Sequence, residues 1–285
     1  MTHSSRNVLI TLFVAAVLTT MGLGQATTAN GVDRVTVPLT DPARPVTLRA
    51  NLLTGSITVK AHNANNVIVE ARVRRESDDE DDDKKAGRKR ILITTTGLTV
   101  EEENNVVRAT ADTIHRAVDL TIYTPVNTSV NLKAVNDGNI VVSGLNGELD
   151  VDCVNGEVTL DNVSGNAIAH ALNGDLKVTF RAINNKPMAF SSLNGDIEVS
   201  FPPDLKANVS ITSDRGDVYS DFDIAMQQNA PRQVVENGRD KGGKFRVRID
   251  KTVRGTIAGG GQEIQFKNFQ GGIYIKRAGT APTSK

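Results

Sequence analysis

Tryptophan is absent from this sequence and aromatic residues make up only 4% of it. That leaves little from which to build an exposed stacking platform for sugars. Neither sign of charge prevails, with 33 Lys and Arg against 33 Asp and Glu. No global field therefore draws the chain to nucleic acid or to an anionic membrane. The one cysteine, Cys153, cannot close an internal disulfide, so stability has to come from hydrogen-bonded ladders and apolar stacking. Its counterparts in the repeat described below are Ala and Ser, which reads as a small core position rather than a reactive thiol. No apolar run reaches the ~20 residues of a membrane-spanning helix. Catalytic signatures are missing as well: there is no Gly-x-Ser-x-Gly, no His-Glu-x-x-His and no phosphate loop. The four histidines, His3, His62, His115 and His170, share no metal-ligand spacing. No cofactor and no metal are expected.

Glycine, in contrast, is frequent at 24 residues, and much of it falls in a repeat. One phrase recurs: a small residue, an apolar residue, Asn-Gly, an acid, then alternating apolar residues. It reads CVNGEVTL at Cys153–Leu160, ALNGDLKV at Ala171–Val178 and SLNGDIEV at Ser192–Val199, with degenerate copies at Ala134–Val142 and Ser213–Ser220. Gly138, Gly156, Gly174, Gly195 and Gly216 follow one another at nearly even intervals. Period-2 alternation inside a repeat of about 20 residues predicts a β-solenoid with one rung per repeat. Asn155-Gly156, Asn173-Gly174, Asn194-Gly195 and Gly216 are then the structural turns, supplying φ > 0 corners between faces. A β-hairpin is the competing reading of Asn-Gly, but hairpins would not need a small residue at a constant offset. A second, offset glycine series at Gly147 and Gly165 gives each rung two faces. The fold expected is all-β, a single-stranded β-helix, right-handed by the general preference of parallel crossovers.

The rest of the chain is read around that block. Met1–Ala29 has the form of a secretory signal peptide: Arg6, an apolar core at Val8–Leu18, and small-x-small sites at Gly24–Ala26 and Thr27–Ala29. Residues 30–125 read as an irregular, β-rich beginning of the solenoid, interrupted by an acidic, disordered loop at 76–90 that carries Asp78–Asp83. Residues 126–277 are the regular solenoid with a loop insertion at 221–244, and 278–285 a disordered tail. The closing strand, with Lys276 and Arg277, is expected to blunt the open end of the stack.

The Asn-Gly-acid-apolar-x-apolar units at Asn155–Leu160, Asn173–Val178 and Asn194–Val199, with Phe201-Pro202-Pro203-x-Leu205 and Gly271–Ile275, carry a resemblance. The chain resembles a large bacterial family of proposed adhesin domains of unknown function, which look like exported single-chain β-solenoids. The resemblance spans roughly Asn51 to Lys276. It implies a secreted, periplasmic or cell-envelope location and an adhesive role, and it carries over no catalytic residues.

The weak candidates for a cation site are the acids after each glycine, Glu157, Asp175, Asp196 and Asp217, which would stack as a carboxylate ladder. The simpler expectation is that they bond backbone N–H groups and face water. The function expected is a non-enzymatic interaction surface that docks an envelope protein or a surface polysaccharide along outward Asp150, Asp152, Thr159, Asp161, Lys177, Glu198 and Tyr219. Two other readings compete with it: a carbohydrate-active β-helix enzyme, and a periplasmic sensor of a membrane-bound regulator.

Overall fold

The computed structural model describes residues 25–29, 31–74, 95–111, 116–227, 233–237, 245–249 and 252–279. Most of the expected signal peptide, the acidic loop, residues 280–285, His3 and His115 lie outside the described residues. Every regular element within them is a β-strand. The alternating apolar residues do what the period-2 pattern requires, and strand after strand buries every second side chain, as in Val118–Pro125 and Leu176–Ile183.

The strands form two facing walls. In the first, Val106–Ala111, Val46–Thr54, Thr128–Asn136, Asn146–Asn155, the end of Val158–Asn173, Met188–Asn194, Gln262–Gln270 and Ala207–Ser213 run parallel in that order. In the second, the parallel order is Val118–Pro125, Ile57–His62, Ile140–Ser143, the start of Val158–Asn173, Leu176–Ile183, Ile197–Phe201, Ile273–Arg277 and Val218–Ser220. In rung after rung the chain leaves the first wall at a glycine corner and enters the second. Parallel register across the corners, such as Val158 beside Leu176 and Leu176 beside Ile197, rules out the hairpin reading.

The glycines stack into a continuous spine, and positive φ is only part of the reason. Gly156, Gly174 and Gly195 have φ of 156°, 156° and 149°, but Gly138 and Gly216 do not share that conformation. What all five share is vertical closeness. A Cβ on Gly156 would lie 2.1 Å from the Gly138 carbonyl oxygen, and one on Gly174 or Gly195 2.2 Å from the carbonyl below. On Gly138 or Gly216 it would lie 1.8 Å from the neighbouring corner's oxygen. No side chain fits a gap of that size. Gly55 joins the same spine beneath Gly138, so the irregular first half shares the stack.

The order of rungs departs from the order of the chain at both ends. The rung formed by Val46–Thr54 and Ile57–His62 lies between the Val106–Pro125 rung and the Thr128–Ser143 rung. At the other end, Gln262–Gln270 and Ile273–Arg277 slot in between the Asn194 corner and the Gly216 corner. Gly271 accordingly stacks on Gly195, and Gly216 on Gly271. The strand carrying Lys276 and Arg277 is therefore internal, and Lys276 is paired with Glu198 at 2.8 Å instead of guarding an edge.

Antiparallel strands close the ends of the stack. Leu98–Glu103 covers the first wall at one end, and Val253–Ile257 with Ile224–Met226 covers it at the other. On the second wall, Asn66–Val73 pairs with Val118–Pro125 and is covered in turn by Val32–Pro38. Residues 221–244, read as a loop, contain Ile224–Met226 and Gln233–Asn237, the latter paired antiparallel with Phe245–Ile249.

One apolar core runs from Val37 to Ile275 without a break at Pro125, which marks a change in rung regularity only. Where the repeat lengthens beyond Gly174, the extra width is filled by phenylalanines. Phe180 and Phe201 stack at 5.5 Å, as do Phe190 and Phe266, all essentially fully buried.

Candidate interaction site

The asparagine of each corner faces outward and reaches down the stack. Asn194 Nδ2 donates to Asn173 Oδ1 at 2.7 Å, Asn173 to Asn155 at 2.8 Å, and Asn155 to Asn136 at 3.2 Å. This amide ladder ties four rungs by side chains alone, each link a neutral hydrogen bond worth about 1 kcal/mol net.

The acids after the glycines serve the neighbouring rung. Asp175 Oδ1 accepts the Asp196 N–H at 2.9 Å, and Asp196 Oδ1 accepts the Gly272 N–H at 2.8 Å. Asn139 holds the Glu157 N–H in the same manner at 2.9 Å. Glu157, Asp175 and Asp196 are therefore stacked, while Asp217 is set apart by the inserted Gly272 and lies near the Tyr219 hydroxyl, 3.4 Å away. Its charge raises the pKa of that phenol above the ordinary value. Lys177 lies within 3.9 Å of Glu157 and 3.7 Å of Asp175. Among the described residues, no group of three or more His, Cys, Asp and Glu is placed to hold a metal ion.

Inside the spine, the small-residue column has a second task. Cys153 Sγ donates to the Gly138 carbonyl at 3.4 Å, Ser192 Oγ to Gly174 at 3.2 Å, and Asn268 Nδ2 to Gly195 at 3.0 Å. Each of these three satisfies the corner carbonyl of the rung before it, whereas Ser213 Oγ donates to the carbonyl of its own corner, Gly216, at 2.7 Å. Burial, with a smaller contribution from Asp152, pushes the Cys153 thiol up to about 11, so the side chain is a packed donor without nucleophilic character at neutral pH.

The outward residues expected to share one flat face are divided between two. Asp150 and Asp152 belong to the first wall, whereas Thr159, Asp161, Lys177, Glu198 and Tyr219 belong to the second. The rung turns at Gly156, and residues on either side of a corner look in different directions. On the second wall, Thr159, Lys177, Glu198, Tyr274 and Tyr219 form one column, ending in the stacked pair Tyr219 and Tyr274 at 5.3 Å.

Sequence reasoning missed the row beside the amide ladder. The apolar residue before each corner asparagine points outward, at Val135, Val154, Leu172 and Leu193; with Leu53 before Thr54 and Phe269 before Gln270 in the corresponding places, these occupy successive rungs. Leu53 is 59% exposed, Leu172 44%, Leu193 41% and Phe269 39%. The signal was present in the repeated phrase, since an apolar residue directly after a buried small one falls on the opposite face of the strand. Six rungs at ~4.8 Å make a stripe of roughly 25 Å.

His62 and His170 lie on different walls. His62 Nε2 is 2.8 Å from the Asn66 carbonyl and His170 Nδ1 is 2.5 Å from Ser191 Oγ, so each has a local partner. No helix among the described residues is long and apolar enough to cross a membrane.

The Toastrack DUF4097 family model matches residues 47–258. No curated protein matches the sequence. Two solved structures are similar at low identity. One is a proposed cell adhesion protein from Clostridium sporogenes, with 11% identity, a TM-score of 0.42, and coverage of 86% of this chain and 98% of that one. The other is a proposed adhesin from Bacteroides fragilis, with 10% identity, a TM-score of 0.39, and coverage of 87% and 98%.

Proposed function

The chain belongs to the Toastrack DUF4097 family, and from that premise we propose that it is an exported, non-enzymatic, right-handed β-solenoid whose walls dock an extended partner at the cell envelope. The observation that carries this reading is the apolar stripe from Leu53 to Phe269. An outward apolar row, exposed at Leu53, Leu172, Leu193 and Phe269 and half-buried at Val135 and Val154, is the mark of an interaction site, and here its spacing is fixed by the backbone ladder. A rigid stack presents many equivalent weak contacts at no ordering cost. The partner of this stripe is an envelope protein, because the row offers apolar contact flanked by the Asn ladder. The apolar segment Val8–Leu18 behind Arg6 supports export.

The test is capture from envelope extracts by immobilised protein, alongside the double variant Leu172→Ser, Leu193→Ser. The wild type is expected to retain an envelope protein and the variant to lose roughly tenfold in affinity, the equivalent of about 1.4 kcal/mol, at an unchanged melting temperature. Equal retention by both contradicts the assignment of the stripe. Accumulation of the native protein in the cytoplasmic fraction contradicts export.

A further inference from the structure

We propose that the groove over Arg49 and Arg108 on the first wall binds a carboxylate-bearing saccharide, a short chain of uronic acid units. The inference goes beyond the apolar stripe and stands on different residues. Arg49 and Arg108 lie directly opposite one another on neighbouring parallel strands and both are exposed. Among the described residues neither guanidinium has a hydrogen-bond or ion-pair partner. Like charges placed opposite on adjacent strands are destabilising, so the pair is a site at which a bound anion is favoured. Two planar forks rooted on strands ~4.8 Å apart suit the bidentate recognition of carboxylates.

The surroundings select the kind of anion. The arginines line a groove of about 640 Å³ that also presents Thr47, Thr110, Ser129 and Asn131. These are neutral donors and acceptors of the sort that bind sugar hydroxyls. Carboxylates bound the positive island on both sides. Glu101 is opposite Arg108, and Asp150 follows Asn131 in the same outward column, accepting from its Nδ2 at 2.5 Å. A uronate surrounds its carboxylate with hydroxyls, whose protons Asp150 and Glu148 can accept.

The groove continues past Ser129 and Glu148 into a second hollow of about 370 Å³. Asn127, Asn146 and Asn184 line that hollow and offer amides to sugar hydroxyls. Arginine forks at one end and amides at the other fit an oligosaccharide laid across several rungs.

Calorimetric titration of the full chain tests this with oligogalacturonate and oligoglucuronate as probes, and with a neutral malto-oligosaccharide and a single-stranded oligonucleotide for comparison. The expected result is binding of at least one uronate oligomer, weakened about tenfold or more by Arg49→Gln or Arg108→Gln and lost in the double variant. Lys177→Gln, on the other wall, leaves that affinity unchanged, and all melting temperatures stay together. Failure of the wild type to bind either uronate overturns the proposal. So does undiminished binding by the double variant, equal binding of the neutral sugar, or preferential binding of the oligonucleotide. Capture of an envelope protein by wild type and arginine variant alike would leave the stripe's role standing while these failures remove the saccharide site.

Discussion

Gly174 stands so closely over Gly156 that a Cβ on the upper residue would lie 2.2 Å from the lower one's carbonyl oxygen. Gly174→Ala is accordingly expected to pry two rungs apart, costing about 3 kcal/mol. Chemical denaturation read by far-ultraviolet circular dichroism checks this. A loss below about 0.5 kcal/mol, the range of an ordinary surface substitution, would mean that the corner relaxes freely.

In-and-out alternation is tested by neighbours. Leu176 is fully buried, whereas the Lys177 side chain is 51% exposed. Leu176→Asp places a charge in the core and is expected to cost several kcal/mol. Lys177→Gln, which gives up two solvent-screened pairs, should stay within about 0.5 kcal/mol. Similar drops in melting temperature for the two would contradict the alternation.

Cys153 should be inert in the native state. Its raised pKa of about 11 means that folding favours the thiol: that contribution is complete below the unfolded thiol's ordinary value and is lost as pH rises through about 11. A thiol reagent at about pH 8 should label it only after unfolding, with a rate that follows denaturant concentration. Prompt labelling of the folded protein would place the side chain elsewhere.

Asp33 gives an acid-side test. Thr96 Oγ1 donates to its carboxylate at 2.6 Å and Thr28 Oγ1 at 2.7 Å, and these bonds, Thr96 first, hold its pKa below the ordinary value of 3.8. A depressed carboxyl stabilises the fold above its ordinary pKa, and the contribution is lost as pH falls through the native value. The melting temperature of the wild type should therefore fall more steeply than that of Asp33→Asn between about pH 4 and about pH 2.5.

Much of this architecture is legible in the sequence because its cause is local. Ile140, Val158, Leu176 and Ile197 repeat at a fixed offset from glycine, and that offset maps directly onto one parallel ladder. The order of rungs is not local. Nothing in the phrase around Gly216 says that residues 262–277 will slide beneath it, since Gly271-Gly272 resembles any other corner. The interaction surface was half legible for a similar reason. Outward residues can be recognised by alternation, but which wall they share depends on where the chain turns. The buried Ala171 and Ser192 place Leu172 and Leu193 outward by alternation, but that they line up in one stripe follows only from the register. The pairing of Arg49 with Arg108 joins strands that are distant in the chain and leaves no trace in either local sequence.

Disulfide trapping between rungs, within one column of the second wall, tests the stacking of the corners most directly. With Cys153 replaced by Ser, cysteines are introduced in pairs at Glu198, Tyr274 and Tyr219. Directly opposed residues on adjacent strands lie within the roughly 4.4–6.8 Å Cα separation a disulfide requires, and residues two rungs apart, at about 9.6 Å, do not. Oxidation is predicted to join Glu198→Cys to Tyr274→Cys, and Tyr274→Cys to Tyr219→Cys, while the Glu198→Cys, Tyr219→Cys pair stays reduced. Efficient bridging of that last pair, with none to position 274, would mean that the corners do not stack in the order described.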